Sequence, residues 1–176
     1  MPDTRGFDLI AELPDDGSRQ KEVYARFGLV AFKAQVFDHA LVNLLTVAGS
    51  VDDRMTQNEV DQCLEKLFKK TSGQLVNDVS AQSRLEAEDL GICRHAVAER
   101  NRLIHRFFRE HAENFMTSRG QQAMLDDLGE IGDLIERADG ACHRVMMRIG
   151  APYGFTDEAV EAETNRLMER LTASDS

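Results

Sequence analysis

Leu128, Ile131, Ile135, Ala138, Cys142, Val145 and Ile149 recur at alternating spacings of three and four. An apolar seam of that kind, sustained over three heptads, specifies an α-helix and demands a second helix to cover it. The rest of the chain can supply one. Only three prolines interrupt 176 residues, tryptophan is absent, and long glycine-poor stretches show no strand-type alternation, so the chain reads as helical nearly throughout. With 42% hydrophobic residues, the length suffices for one domain with its own core.

Taken in order, residues 1–18 read as a flexible N-terminal arm. Phe7, Leu9, Ile10 and Leu13 could dock on the body, and Pro14 to Ser18 form a turn or linker. A first helix is expected over about Arg19 to Val47. Lys33, Gln35, Asp38, His39 and Asn43 interrupt its apolar residues, and no run nears the ~18 to 20 residues a membrane span needs. Thr56 and Glu59 have the spacing of a capping box. The second helix that starts there buries Val60, Leu64, Leu67, Phe68, Leu75, Val76 and Val79, with a break or irregular turn at Thr71-Ser72-Gly73. The third is expected over Ala81 to Asn114 and the fourth over Gln121 to Ile149, stopped by Gly150-Ala151-Pro152, where glycine tolerates a left-handed cap. A short fifth helix enters at Thr156 with Asp157 and Glu158 at its positive end. Its narrow apolar face, Val160, Thr164, Leu167, Met168 and Leu171, must pack on the bundle or on a second subunit. The expected fold is all-α: an up-and-down four-helix bundle over residues 19–149, with the arm before it and a C-terminal helix and tail over 150–176.

The chemistry is concentrated in the third helix. From Arg94 to His111 five arginines (Arg94, Arg100, Arg102, Arg106, Arg109) face two glutamates, a local charge of +3 in a chain whose total is -10. The overall charge disfavours indiscriminate nucleic-acid binding, whereas a focused basic patch suits a small, specific phosphate site. Taken singly, Arg102, Arg106 and Arg109 read more readily as a solvated face paired with Glu99 and Glu110. Arg100 falls on the apolar stripe of Ile92, Ala96, Leu103 and Phe107, so its guanidinium is partly dry and needs a partner. Asn101 and His105 are four apart and share a neighbouring strip.

Arg100-Asn101-Arg102-Leu103-Ile104-His105 resembles the R-x4-6-H signature of the HEPN superfamily, in the R-N-x-L-x-H form of its bacterial members. The resemblance covers about Arg19 to Ile149. It implies a homodimer with both motifs in one cleft, acting as a metal-independent endoribonuclease that leaves 2′,3′-cyclic phosphate ends, in a toxin or defence setting that includes a cognate antitoxin or partner protein. Toxins of this type paired with a nucleotidyltransferase antitoxin usually read H-x-Y; here that position is Phe107, which has no hydroxyl to modify. The residue types fit such chemistry. Histidine can move a proton near neutral pH without a metal, an arginine fork can hold a scissile phosphate, and Asn101 can orient either. Arg100, Asn101 and His105 are thus the candidate catalytic residues, and Arg102, Arg106 and Arg109 the candidate substrate contacts. The alternative is a non-catalytic helical dimer that binds RNA, a nucleotide or a partner protein, with the motif holding the interface; a helical scaffold with no nucleic-acid role is a third.

Metal and cofactor sites are not expected. None of the five histidines has a glutamate three residues before it, His105 and His111 are six apart and point to different sides of a helix, and no cysteine lies at ligand spacing. His39, His95 and His143 read as surface or satisfied core residues. Cys63, Cys93 and Cys142, odd in number and set in apolar helical text, read as reduced thiols of a cytoplasmic protein, and no signal peptide is recognisable at the start.

Overall fold

A computed structural model describes residues 17–82 and 84–174; the expected N-terminal arm lies, but for its last two residues, outside the described residues. The described residues form six α-helices and no strand: α1 (Ser18–Asp53), α2 (Gln57–Leu67), α3 (Ser72–Ala81), α4 (Ala87–Glu110), α5 (Ser118–Gly150) and α6 (Asp157–Ser174). The all-α expectation holds. Among the described residues no helix is long and apolar enough to cross a membrane.

Local chemistry sets the helix boundaries. At the start of α2 the Glu59 carboxylate accepts from the Thr56 amide at 2.8 Å and from its hydroxyl at 2.7 Å, the expected capping box. Those bonds, the amide one foremost, hold the Glu59 carboxyl below its ordinary range. The break near Thr71 is a second box: the Gln74 side chain accepts from the Thr71 amide at 2.9 Å, and Thr71 Oγ1 accepts from the Gln74 amide at 3.3 Å. Thr71 therefore starts a new helix, and the expected second helix is two. Before α5, Thr117 accepts from the amides of Gly120 and Gln121 at 3.1 and 2.8 Å, so this helix begins three residues earlier than expected. Gly150 ends it with a right-handed φ of -81°, and the left-handed glycine is Gly154 at +83°. The sequence expectation assigned that cap to the wrong glycine. What Gly150 supplies is room, since a Cβ there would lie 2.8 Å from Phe155.

The chain divides into two compact units. The first holds residues 17–38 and 91–138, with Val23, Val30, Ala34 and Phe37 of α1, Ala96, Leu103 and Phe107 of α4, and Met124, Leu128, Ile131 and Ile135 of α5 buried in its core. The second holds residues 39–82, 84–90 and 139–174, with a core of Leu41, Leu44, Leu45 and Ala48 of α1, Leu75, Val76 and Val79 of α3, and Cys142 and Val145 of α5. The heptad seam is thus buried in both, Ile149 being half-buried. Arg84 with Asp52, and Arg144 with Asp89 at 3.1 Å, are ion pairs of the second unit.

Gly120 makes a close backbone contact. A Cβ there would sit 2.2 Å from the Asn114 carbonyl oxygen and 2.4 Å from its Cα, so the turn after α4 and the first turn of α5 fit together only around glycine. Gly120→Ala is expected to cost about 1–3 kcal/mol, the range for overpacking, and Thr71→Ala about 0.5–2 kcal/mol for a lost N-cap. Urea titrations of the two variants check this; a Gly120→Ala chain as stable as the parent would show that the turn can shift freely.

Candidate functional site

Residues two apart on a helix point about 200° apart, and α4 uses this to present two different flanks. On the flank toward α1, Arg100 donates from Nη2 to Asp38 Oδ2 at 2.8 Å and from Nη1 to Asn101 Oδ1 at 3.3 Å. Both charged side chains are largely covered, and Asp38 is the partner that a half-dry guanidinium required. The Arg100 Nε is buried with no hydrogen-bond partner. Asn101, Ile104 and His105 on this flank are exposed. Arg100 and Asn101 are therefore joined, while His105 stands beside them, open to solvent.

The opposite flank faces α5. Arg102 grips Asp127 in a fork, Nη1 to Oδ2 at 3.0 Å and Nη2 to Oδ1 at 2.5 Å, while its Nε donates to Glu99 at 2.6 Å and Nη1 approaches Glu110 at 3.4 Å. This raises the pKa of Arg102, the Asp127 bond contributing most. His111 continues the network, with Nε2 2.7 Å from Asp127 Oδ2 and Nδ1 2.9 Å from Asn114 Nδ2. An Asn114 amide donating to Nδ1 leaves the proton on Nε2, which donates to Asp127. Its ring packs on Phe107 at 4.6 Å between centroids. Burial pushes the Asp127 carboxyl up, but the hydrogen bonds from Arg102 and His111, with the Arg102 charge, outweigh it and hold the group below the ordinary carboxylate range.

Five of the six predicted residues thus fall in two sets. Arg102 and Arg106 meet around Glu110, Arg106 Nε lying 3.5 Å from it; Arg100, Asn101 and His105 lie on the other flank, and Arg109 is exposed. Beside Arg102 opens a cleft of about 620 Å³ between α4 and α5, lined by His95, Glu99, Asp127, Glu130, Asp133 and Arg137 among others. Four carboxylates against the guanidinium groups of Arg102 and Arg137 make it a poor phosphate site. No group of three His, Cys, Asp or Glu side chains among the described residues could hold a metal ion. Sequence reasoning missed Asp38 as the partner of Arg100 and the whole Asp127–His111–Asn114 network. Nothing local marks Asp127, since its partners are 16 and 25 residues away.

The motif flank adjoins an unusual surface. Tyr24 (57%), Leu29 (45%), Phe32 (62%) and Val36 (41%) of α1 are exposed, with Ala25 and Gly28 between them, and Ile104 of α4 is 41% exposed. Tyr24 contacts Phe108 and Phe115 at 5.7 and 5.4 Å between ring centroids, and Phe27 contacts Phe108 at 4.9 Å. These rings make the outer face of α1 continuous with the flank carrying Asn101 and His105. A helix apolar all round is ordinarily covered on both sides, and an exposed apolar patch of this kind marks an interaction surface.

Comparison with family models, with curated proteins and with solved structures returned no match to this chain.

Because its folded pKa is depressed, ionised Asp127 stabilises the fold above its unfolded value of about 3.9, and that contribution is lost as pH falls from there through the folded pKa. Asp127→Asn should lower the melting temperature at pH 7 and flatten the acid limb of stability below about pH 4. Melts at a series of pH values test this; an unchanged acid limb would mean that the network does not contribute.

Proposed function

We propose that this chain is a HEPN-like protein that acts as a homodimer and cleaves single-stranded RNA without a metal, in a toxin or defence role with its own antitoxin or partner protein. The observation that supports it is the continuity of the exposed apolar face of α1 with Asn101, Ile104 and His105. Two copies joined across that face bring two His105 side chains to one seam. In-line cleavage needs an acid and a base: the 2′-oxygen attacks phosphorus as one His105 takes its proton, and the bond to the 5′-oxygen breaks as the partner's His105 protonates it. Arg100, oriented by Asp38, and Asn101 hold the phosphate and the imidazole. Exposed Arg109 is the better substrate contact, because Arg102 is enclosed by carboxylates.

The non-catalytic reading has its own support. Arg100, Arg102 and Arg106 each pair with acids of the same chain, which leaves little uncompensated charge for a phosphate backbone. A dimer built for binding a partner protein through this flank would need no more.

Two measurements separate these. Phe32→Asp places a charge on the exposed apolar face; sedimentation should show half the parent mass with helicity unchanged, and a parent that is already monomeric at micromolar concentration would remove the dimer from the proposal. With EDTA present, the parent should cut single-stranded RNA to cyclic-phosphate ends and spare DNA, and His105→Ala should lose about 10² to 10⁴-fold, the usual share of general acid–base catalysis. Parent and His105→Ala chains that are both inert on diverse RNAs, yet folded and dimeric, would establish the binding reading instead.

A further inference from the structure

Helix α6 carries a second apolar stripe that is separate from the motif. Val160, Thr164, Leu167 and Leu171 follow one another at spacings of four, three and four, and all four are exposed. With Phe155 and Ala159, the first three line an apolar groove of about 490 Å³ edged by Glu163 and Arg170, and Leu171 continues the stripe beyond it. Thr164 does not interrupt the stripe chemically, because its hydroxyl donates to the Val160 carbonyl at 2.8 Å. Heptad spacing makes this face a knobs-into-holes surface that another helix fits.

Charge identifies which helix. Glu163 and Arg170 lie seven residues apart on the same edge of the stripe and already approach each other at 3.4 Å. Opposite signs at that separation are self-complementary under an antiparallel two-fold: Glu163 of one copy meets the partner's Arg170, and the reverse pair forms by symmetry. The same register sets Val160 against the partner's Leu171 and Thr164 against the partner's Leu167. A parallel pair would set Glu163 against methionine, since Met168 occupies the opposing position. It would also bring together the two acidic starts, Asp157, Glu158 and Glu161, whereas antiparallel pairing separates them and aligns the helix dipoles favourably.

We propose that α6 is a self-association element that pairs antiparallel with α6 of a second copy through Val160, Thr164, Leu167 and Leu171. This contact does not depend on the ribonuclease reading, because it uses none of the motif residues.

The test uses the full chain in a Cys63→Ser background, carrying Val160→Cys and Leu171→Cys together, treated with a short bifunctional maleimide. A covalent dimer is expected from the double variant and essentially none from either single cysteine. Glu163→Arg or Arg170→Glu added to the double variant should each lose the cross-link, and an equimolar mixture of those two chains should restore it, which a contact within one chain cannot do. Absence of any cross-link would overturn the proposal and leave the face to a different protein. Equal cross-linking by Val160→Cys alone would overturn the antiparallel register, and charge variants that cross-link like the parent would overturn the self-complementary pairing.

Discussion

Two carboxylates on different helices fix the rotation of α4 about its own axis. Asp38 of α1 holds Arg100 on one side, and Asp127 of α5 holds Arg102 on the other. The buried side chains of Leu103 and Phe107 supply the larger stabilisation, about 1.5–3 kcal/mol each for complete burial. Ion pairs that retain a fifth to a quarter of their exposure lie between the exposed class, worth about 0–1 kcal/mol, and the buried class, where losing one partner costs about 3–5 kcal/mol. Their main effect is therefore geometric. Apolar burial alone would tolerate some rotation of a helix whose stripe includes small residues such as Ala96, but a fork on Asp127 and a second pair on Asp38 would both break.

That fixed rotation decides what α4 shows to solvent. With Arg100 drawn toward α1 and Arg102 toward α5, the outward arc carries Asn101, Ile104 and His105. The basic patch is correspondingly smaller than the run of arginines implies, because Arg100, Arg102 and Arg106 are each matched by acids. His111, with each ring nitrogen within hydrogen-bond distance of a neighbour, is poorly placed to move a proton to a substrate. His105, exposed and outside that network, keeps its nitrogens available. The division between a structural and an available histidine follows from which flank each occupies.

Features set by local sequence were legible in advance and those set by tertiary contact were not. The heptad seam of α5, the half-buried state of Arg100 and the Thr56 capping box follow from spacing alone, and each is present. The Thr71–Gln74 box has the same spacing signature but sits beside Ser72-Gly73, so it reads as a break until the hydrogen bonds show a helix start. Gly150 and Gly154 illustrate the opposite case: which glycine takes the positive φ depends on how Phe155 folds back on Gly150, a packing fact with no local code. Asp38 and Asp127 are ordinary helix-surface acids by sequence. Their partners, 62 and 25 residues away, make them part of the site. The apolarity of α1 was legible, but only the structure shows that its outer side, from Tyr24 to Val36, has large exposed side chains.

The first unit exposes the outer face of α1 and the second exposes the stripe of α6. An 18-residue helix presenting only four seam residues cannot bury much area, and pairs of that size are weak between separate chains because ordering and association entropy oppose them. Two chains already held together elsewhere meet at an effective concentration set by their connection, often millimolar, and a weak second contact then closes readily when the geometry lets both engage. Symmetry limits the outcome. Two isologous contacts that share one two-fold axis close a dimer, whereas contacts on different axes build a larger assembly from the same protomer. Disrupting α6 would leave the mass of the first kind of assembly unchanged and reduce that of the second, so the stoichiometry of the intact chain reports how its two apolar faces are related.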